Sequence, residues 1–173
     1  MVLKTRVCYK SRDKNVLGDV VYHDVVILSS GTWNQQDAES QIYYPPDVCS
    51  RDAENWKRSF IYHMHTKRVD GTPIDSFNIV GMVDNKRFDY IKNAIIGDLR
   101  IIPITQNAKD VIKQIDRGII KYLSPEIRTW DKYNYFNKRR EVSKLEFNGV
   151  ALVIDSPACK TAIIDPAKKT ITN

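Results

Sequence analysis

Runs of apolar and β-branched residues separated by turn-like residues predict a β-rich amino-terminal half. Apolar and β-branched residues dominate Thr5 to Tyr9 and Val20 to Leu28, and turn-like residues lie between them at Ser11 to Asn15 and Gly18-Asp19. This pattern predicts a β-hairpin or two neighbouring strands. The polar residues from Ser29 to Asn34 predict a loop.

Two consecutive prolines shape the next stretch. Ile42 to Asp47 contains Pro45 and Pro46 and is predicted to be extended, because proline disfavours a helix interior. Asp47 or Ser50 then predicts the N-cap of a short helix over about Arg51 to Lys57.

A second group of strands follows. Ser59 to Thr66 has strand composition and carries two of the three histidines, His63 and His65. Ile79 to Val83 and Ala94 to Ile102 predict two further strands, joined by a turn at Asp84 to Tyr90.

One helix has clear signals at both ends. The amphipathic run from Gln106 to Arg117 follows Thr105, a good N-cap residue, and precedes Gly118, the expected C′ residue. Its apolar stripe is predicted to pack on the sheet. The stripe consists of Ala108, Val111, Ile112 and Ile115.

The region after this helix contains the stretch that is most suggestive of chemistry. Ile119 to Leu123 predicts a short buried strand, and Ser124 precedes Pro125. A residue before proline is driven towards extended geometry, so Ser124 is expected at the end of that strand.

The last part of the chain predicts further strands. Apolar and polar residues alternate from Val142 to Phe147, and Gly149 to Ile154 predicts a buried strand. The tail from Asp165 is polar.

Composition limits the class of protein. The 173 residues are 42% hydrophobic, which predicts one domain over residues 1–173 with a real core. Several short strands and few helices predict a β-rich α+β fold, a closed or nearly closed barrel flanked by helices. No apolar run reaches the roughly 20 residues of a membrane helix.

The chain has an odd number of cysteines, Cys8, Cys49 and Cys159. This favours a reducing, intracellular setting over a disulfide framework.

The net charge of +6 does not by itself indicate nucleic-acid binding. The basic residues are spread along the chain, and the one cluster, Lys138 to Arg140, is predicted to be a solvated loop. We therefore expect no specific nucleic-acid partner and no membrane partner.

Ser124 and the paired histidines are the candidate catalytic residues. A serine needs an adjacent base, and neutral histidine suits that role because its ordinary pKa is roughly 6.5. His63 and His65 would share one face of a regular strand. The same pair could ligate zinc together with Cys159, Asp155 or Asp75, and Cys159 is a second candidate nucleophile. A structural role is the commoner one for each of these residues taken alone.

The order of several motifs resembles that of the capsid-maturation (prohead) proteases of tailed phages and related viruses, a family similar in fold to the herpesvirus assemblins. The similarity runs from about Tyr43 to Ala162. The motifs, in order, are Phe60-Ile-Tyr-His63-Met-His65, Ile79-Val-Gly-Met-Val83, Ile96-Gly-Asp-Leu-Arg100, Gly118-Ile-Ile-Lys-Tyr-Leu-Ser124-Pro-Glu126, Phe147-Asn-Gly-Val-Ala-Leu-Val153 and Pro157-Ala-Cys159.

The resemblance implies a herpesvirus-protease-like fold and a serine endopeptidase that needs no metal or cofactor. Ser124 would be the nucleophile and His63 the base, with His65 as the alternative. The implied substrates are the major capsid protein, the scaffold protein and the chain itself. The implied location is the host cytoplasm and the interior of the procapsid, and self-association, for example as a homodimer, is compatible with it.

One position departs from the family pattern. A third residue, acidic or histidine, usually opens the Val-Ala-Leu strand, and this chain has Gly149 there. The resemblance therefore leaves a Ser-His dyad, or a triad completed by Glu146, Asn148 or Asp155. It also leaves a catalytically silent capsid-assembly module of the same fold.

The residue after the serine bears on the oxyanion hole. Pro125 has no N–H, so at least one donor must come from elsewhere, and we expect it near Lys160.

Overall fold

The computed structural model describes residues 5–6, 9–34, 41–64 and 78–154, and for residues 5, 6 and 34 it describes the backbone alone. The described part contains ten strands and two helices. They are β1 Thr5–Arg6, β2 Ser11–Lys14, β3 Val20–Ser29, β4 Gly31–Asn34, β5 Gln41–Tyr44, α1 Pro46–Arg51, β6 Phe60–His63, β7 Ile79–Asp89, β8 Ala94–Ile101, α2 Gln106–Asp116, β9 Tyr122–Asn134 and β10 Arg139–Val153.

All ten strands belong to one sheet. Its main path runs β1-β9-β10-β6-β7-β8-β3-β2, and β4 and β5 form a side branch on β10. The pairs are antiparallel except where β10 meets β6 and β5. Among the described residues the two ends of the path, β1 and β2, do not pair with each other. The predicted β-rich fold is confirmed, but the prediction of a closed barrel is wrong, because the curled sheet remains an open half-barrel.

Strand β10 organises the core. It pairs with β9 along almost its whole length and also with β6 and β5. Phe147 of β10 is fully buried and stacks on Trp56, with 4.6 Å between the ring centroids. The largest other buried side chains come from strands on both sides of β10 and from the segment before β9. They are Tyr22, Tyr44, Ile27, Leu28, Ile42, Ile61, Ile95, Ile96, Leu99, Ile101 and Ile120.

Helix α2 confirms the sequence prediction at both ends. Thr105 caps it, because its Oγ1 accepts a hydrogen bond of 3.1 Å from the Ala108 amide. Gly118 has a φ of +67°, the left-handed geometry that favours glycine after a helix. Of the predicted apolar stripe, Ala108, Val111 and Ile115 are buried, whereas Ile112 is partly buried against the core.

Because Ile115 is buried and Ile112 is only partly buried, we expect their replacement by alanine to lower the free energy of unfolding by different amounts. We expect Ile115→Ala to lower the free energy of unfolding by about 2–5 kcal/mol, the range for a buried isoleucine. Ile112→Ala should cost clearly less, because its side chain already contacts solvent. Denaturant titration of both variants measures the difference. Equal costs would contradict the packing of α2 described here.

Several elements differ from their predictions. Ser11–Lys14 is strand β2 rather than a turn, and the turn follows it, where Asn15 Oδ1 accepts from the amides of Leu17 and Asp19. Gly31–Asn34 is strand β4 rather than a loop. All four residues of β2 are exposed, so this edge strand lacks the alternation that reveals a strand.

Helix α1 and strand β7 also differ from expectation. Helix α1 begins at Pro46 instead of near Arg51, because proline fits the first helical position. Strand β7 continues to Asp89, whereas a turn was predicted from Asp84. It passes through a register shift between Asp84 and Arg87, where its side chains become polar.

Strand β9 is longer than predicted, which changes the setting of Ser124. Ser124 is the third of the 13 residues of β9, so it does not lie at a strand end. Pro125 is paired with Val150 of β10 on one side, and on the other side the described part of β1 pairs only with Tyr122 and Leu123. Proline is tolerated in a strand where one side has no paired neighbour. None of the described helices is long and apolar enough to cross a membrane.

Candidate active site

Three adjacent strands surround Ser124. In the order β9, β10 and β6, Ser124 is paired with Ala151, and Ala151 is paired with Tyr62. Directly paired residues point to the same face of a sheet. Ser124, Ala151 and Tyr62 therefore share one face, and the exposed fraction of Ser124 is 1%.

His63 lies in the next row of the same three strands. It is paired with Leu152, which is paired with Leu123, and both leucines are fully buried in the core. Because side chains alternate along a strand, the His63 row faces the core and the Ser124 row faces the opposite side. The register therefore does not bring His63 and Ser124 to one face.

His63 has a partner in helix α2. Its Nδ1 lies 2.7 Å from Oδ1 of Asn107, in the first turn of that helix. A carboxamide oxygen only accepts hydrogen bonds, so the Nδ1–H of His63 is the donor in this contact. The contact ties the end of β6 to the start of α2.

The second histidine of the pair, His65, lies outside the described residues. Strand β6 ends at His63, and Met64 has a φ of +73°, which interrupts the alternation of a regular strand. The prediction that the two histidines share a face was based on that alternation. The predicted contact between Ser124 and a histidine of this stretch therefore stays a prediction.

Gly149 occupies a position with no room for a side chain. It lies in a register shift of β10 between Phe147 and Val150, with a φ of +126°. A Cβ added there would lie 2.6 Å from the carbonyl oxygen of Phe60 and 2.6 Å from Cε2 of Tyr62. The ring of Tyr62 thus fills the space that a third catalytic side chain at this position would enter.

Sequence reasoning missed Tyr62. Its hydroxyl donates a hydrogen bond of 3.4 Å to the carbonyl oxygen of Asn148, and 7% of its surface is exposed. Burial raises the pKa of Tyr62, and a hydrogen bond with Arg58 opposes the rise only in part. Tyr62 is therefore a neutral phenol on the face of Ser124. The signal available in the sequence was an aromatic residue directly before His63.

The proposed orienting groups lie at different distances from Ser124. Glu146 is opposite Arg128, four residues along β9 from Ser124 and therefore roughly 13 Å away at the usual rise of a strand. Asn148 lies in the β10 bulge nearer to Ser124, and its carbonyl oxygen is engaged by Tyr62. Asp155 lies outside the described residues, as do Asp75, Cys159 and Lys160.

The remaining histidine, His23, belongs to a different cluster on β3. Its Nε2 lies 2.9 Å from Asp13, and its Nδ1 lies 3.2 Å from the buried carboxylate of Asp98. The hydrogen bond with Asp13 raises the pKa of His23, because both carboxylates favour the imidazolium. His23 thereby joins the edge strand β2 to β3 and β8.

This cluster makes a prediction about stability and pH. The pKa of His23 is higher in the folded protein than in the unfolded chain. The protonated side chain therefore stabilises the fold fully below the unfolded pKa of roughly 6.5. This stabilisation is lost as the pH rises through the higher folded pKa. We expect His23→Gln to cost more unfolding free energy in mild acid than above neutral pH. Asp13→Asn should weaken that pH dependence. A cost of His23→Gln that is constant with pH would contradict the prediction.

The fold has a known counterpart. The structure is similar to that of the capsid assembly protease gp21 of bacteriophage T4, with a TM-score of 0.63 and 14% sequence identity. The similarity covers 90% of this chain and 98% of that chain. No family model and no curated protein matches the sequence. The chain therefore shares the fold of a phage capsid assembly protease, in agreement with the resemblance that its motifs indicated.

Proposed function

We propose that this chain is a serine endopeptidase of the capsid-maturation type, with Ser124 as its nucleophile. The observation that carries the proposal is the fold, which matches a capsid assembly protease over nearly the full length of both chains. The position of Ser124 within β9, paired with Ala151 of β10, supports it, because a nucleophile on a rigid strand is held in a fixed direction. The proposed substrates are scaffold and capsid proteins and the chain itself.

In this mechanism Ser124 Oγ attacks the scissile carbonyl carbon while a histidine removes its proton. The carbonyl oxygen becomes an oxyanion, and the histidine then protonates the leaving amine. Water hydrolyses the acyl-enzyme by the same steps. The N–H donors for the oxyanion must include one other than residue 125, which is proline.

The geometry changes which histidine we favour as the base. The sequence favoured His63, but the described register directs His63 to the core face, where its Nδ1 contacts Asn107. We therefore propose His65 as the base and His63 as a residue that anchors the end of β6. With Gly149 unable to carry a third group, the base would act in a dyad or be oriented by Asn148 or Asp155.

A fluorophosphonate probe tests the nucleophile without knowledge of the substrate. The probe phosphonylates an activated serine, so the wild-type chain should be labelled at Ser124 and Ser124→Ala should not. Ser143, which lies on β10 and donates a hydrogen bond to the carbonyl oxygen of Trp130, supplies a matched control as Ser143→Ala. Labelling that survives in Ser124→Ala would refute the assignment.

Two other functions remain as alternatives to be tested. A catalytically silent assembly module is favoured by the glycine at position 149 and would give no labelling in any variant. A metal-dependent hydrolase would use His63 and His65, and a chelator should then abolish its activity. Both outcomes differ from the one that the serine mechanism predicts.

A further inference from the structure

The outer part of the β9–β10 hairpin carries most of the net charge of the chain. We define the hairpin arm as residues 127–144, which contain six basic and two acidic residues, a net charge of +4 out of the total of +6. Strands β9 and β10 pair along the arm as far as Asn134 and Arg139. The residues between them form the turn at its tip.

The tip of the arm exposes three aromatic side chains. The exposed fractions are 49% for Tyr133, 82% for Tyr135 and 99% for Phe136. Tyr133 and Tyr135 pack edge to face, with 5.0 Å between their ring centroids. Large aromatic side chains grouped on one exposed turn are typical of a site that binds a partner.

The tip is organised rather than loose. Asn134 Oδ1 accepts hydrogen bonds from the amides of Phe136 and Asn137, at 3.0 and 3.2 Å. The carboxylate of Glu141 accepts from Asn134, Arg139 and Asn137, at 2.8, 2.8 and 3.0 Å. These hydrogen bonds lower the pKa of Glu141 to about 2, and the one from Asn134 has the largest effect. A turn held in this way presents its aromatic side chains at a low entropic cost of binding.

The charges of the arm are arranged around this tip. Its two carboxylates both pair with arginines, Glu141 with Arg139 at 2.8 Å and Asp131 with Arg140 at 2.6 Å. Lys132 and Lys138 are exposed on either side of the aromatic turn. Further from the tip, Arg128 and Lys144 both lie against the ring of Trp130, at 4.7 and 4.8 Å from its centroid. The arm therefore presents an apolar centre with a basic rim.

We propose that the tip of the hairpin arm docks an acidic segment of a partner protein, with Tyr135 and Phe136 inserting between its apolar side chains. Charge complementarity selects the acidic partner, and exposed aromatic residues are the usual anchors of protein interfaces. The tip is a convex turn with two lysines beside it, whereas non-specific nucleic-acid binding uses a cationic groove that follows many phosphates. That the partner is the protease's own protein substrate rests on the proposed function.

The experiment uses the full chain carrying Ser124→Ala, so that cleavage does not interfere with binding. Fluorescence anisotropy measures the Kd for a short labelled peptide in which Asp and Glu alternate with Leu and Phe. A second peptide replaces Asp and Glu with Asn and Gln, and a labelled oligo-dT represents single-stranded nucleic acid. We expect the acidic peptide to bind most tightly and its affinity to fall as salt is added.

Substitutions at the tip separate the apolar from the charged contribution. Tyr135→Ser with Phe136→Ser should weaken binding of the acidic peptide about tenfold or more. Lys132→Glu with Lys138→Glu should weaken it and reduce its dependence on salt. Ile91→Ser is the matched control, because Ile91 is 97% exposed in the β7–β8 turn and should have no effect.

Two results would overturn the proposal. One is equal affinity in the tip variants and the Ile91→Ser control. The other is tighter binding of oligo-dT than of the acidic peptide, which would assign the arm to nucleic acid. Neither result bears on whether the probe labels Ser124, so failure of the docking surface and failure of the protease mechanism remain distinguishable.

Discussion

Replacing Ser124 with alanine is expected to abolish cleavage of a scaffold or capsid substrate and any cleavage of the chain itself. The expectation follows from the proposed covalent mechanism, because the acyl-enzyme cannot form without the serine oxygen. The substitution should change the fold little, because alanine is smaller than serine and the residue paired with Ser124 on β10, Ala151, is itself an alanine. Gel analysis or mass spectrometry of the products measures the loss. Full cleavage by Ser124→Ala would reject the serine mechanism.

The two histidines provide a matched comparison within the same prediction. His65→Ala should reproduce the loss seen with Ser124→Ala if His65 is the base. His63→Ala should retain activity but lose stability, because it removes the contact between β6 and Asn107. The reverse result would return the role of base to His63 and would require the end of β6 to rearrange during catalysis.

The pH dependence of cleavage gives an independent check. Activity should rise with pH as the histidine base loses its proton. Chelators should have no effect on the serine mechanism. Loss of activity with a chelator would favour the metal-dependent alternative, and an inactive wild type would favour the assembly module.

Local signals explain which parts of the fold could be predicted. Helix α2 has a capping threonine, an apolar stripe and a glycine with positive φ, all within 14 residues from Thr105 to Gly118, and its bounds were predicted almost to the residue. Strands β2 and β4 were missed because they take their place from pairing with β3 and β5, which local composition does not reveal. The open sheet likewise depends on which strands pair, and local composition does not reveal that the described parts of β1 and β2 do not pair with each other.

The candidate site shows the same division. The sequence singled out Ser124 and the paired histidines, but it placed Ser124 at a strand end, whereas β9 continues through Pro125. It treated His63 and His65 as neighbours on one face, and the positive φ of Met64 could not be read from the residues. It noticed Gly149 as a departure, but the ring of Tyr62 that fills the space became apparent only in the folded chain.

Placing a side chain at position 149 is expected to destabilise the protein rather than complete a triad. Gly149 has a φ of +126°, a region that residues with a Cβ rarely adopt, and strain of this kind costs of the order of 1–3 kcal/mol. The Cβ would also meet the Phe60 carbonyl oxygen at 2.6 Å, a backbone atom that cannot move without shifting β6. We therefore expect both Gly149→Ala and Gly149→His to lower the free energy of unfolding by more than about 2 kcal/mol.

The effect of Gly149→His on the rate of cleavage shows whether this position could hold a third catalytic residue. If the chain had simply lost a catalytic group, Gly149→His would restore it and raise the rate of cleavage. The packing predicts the opposite, because any side chain at position 149 displaces the strand that leads into His63. Combining Gly149→Ala with Tyr62→Ala removes the contact with the ring but not the one with the Phe60 carbonyl oxygen, so stability should not recover. A Gly149→His variant that folds as well as the wild type and cleaves faster would show that the site was built for a triad after all.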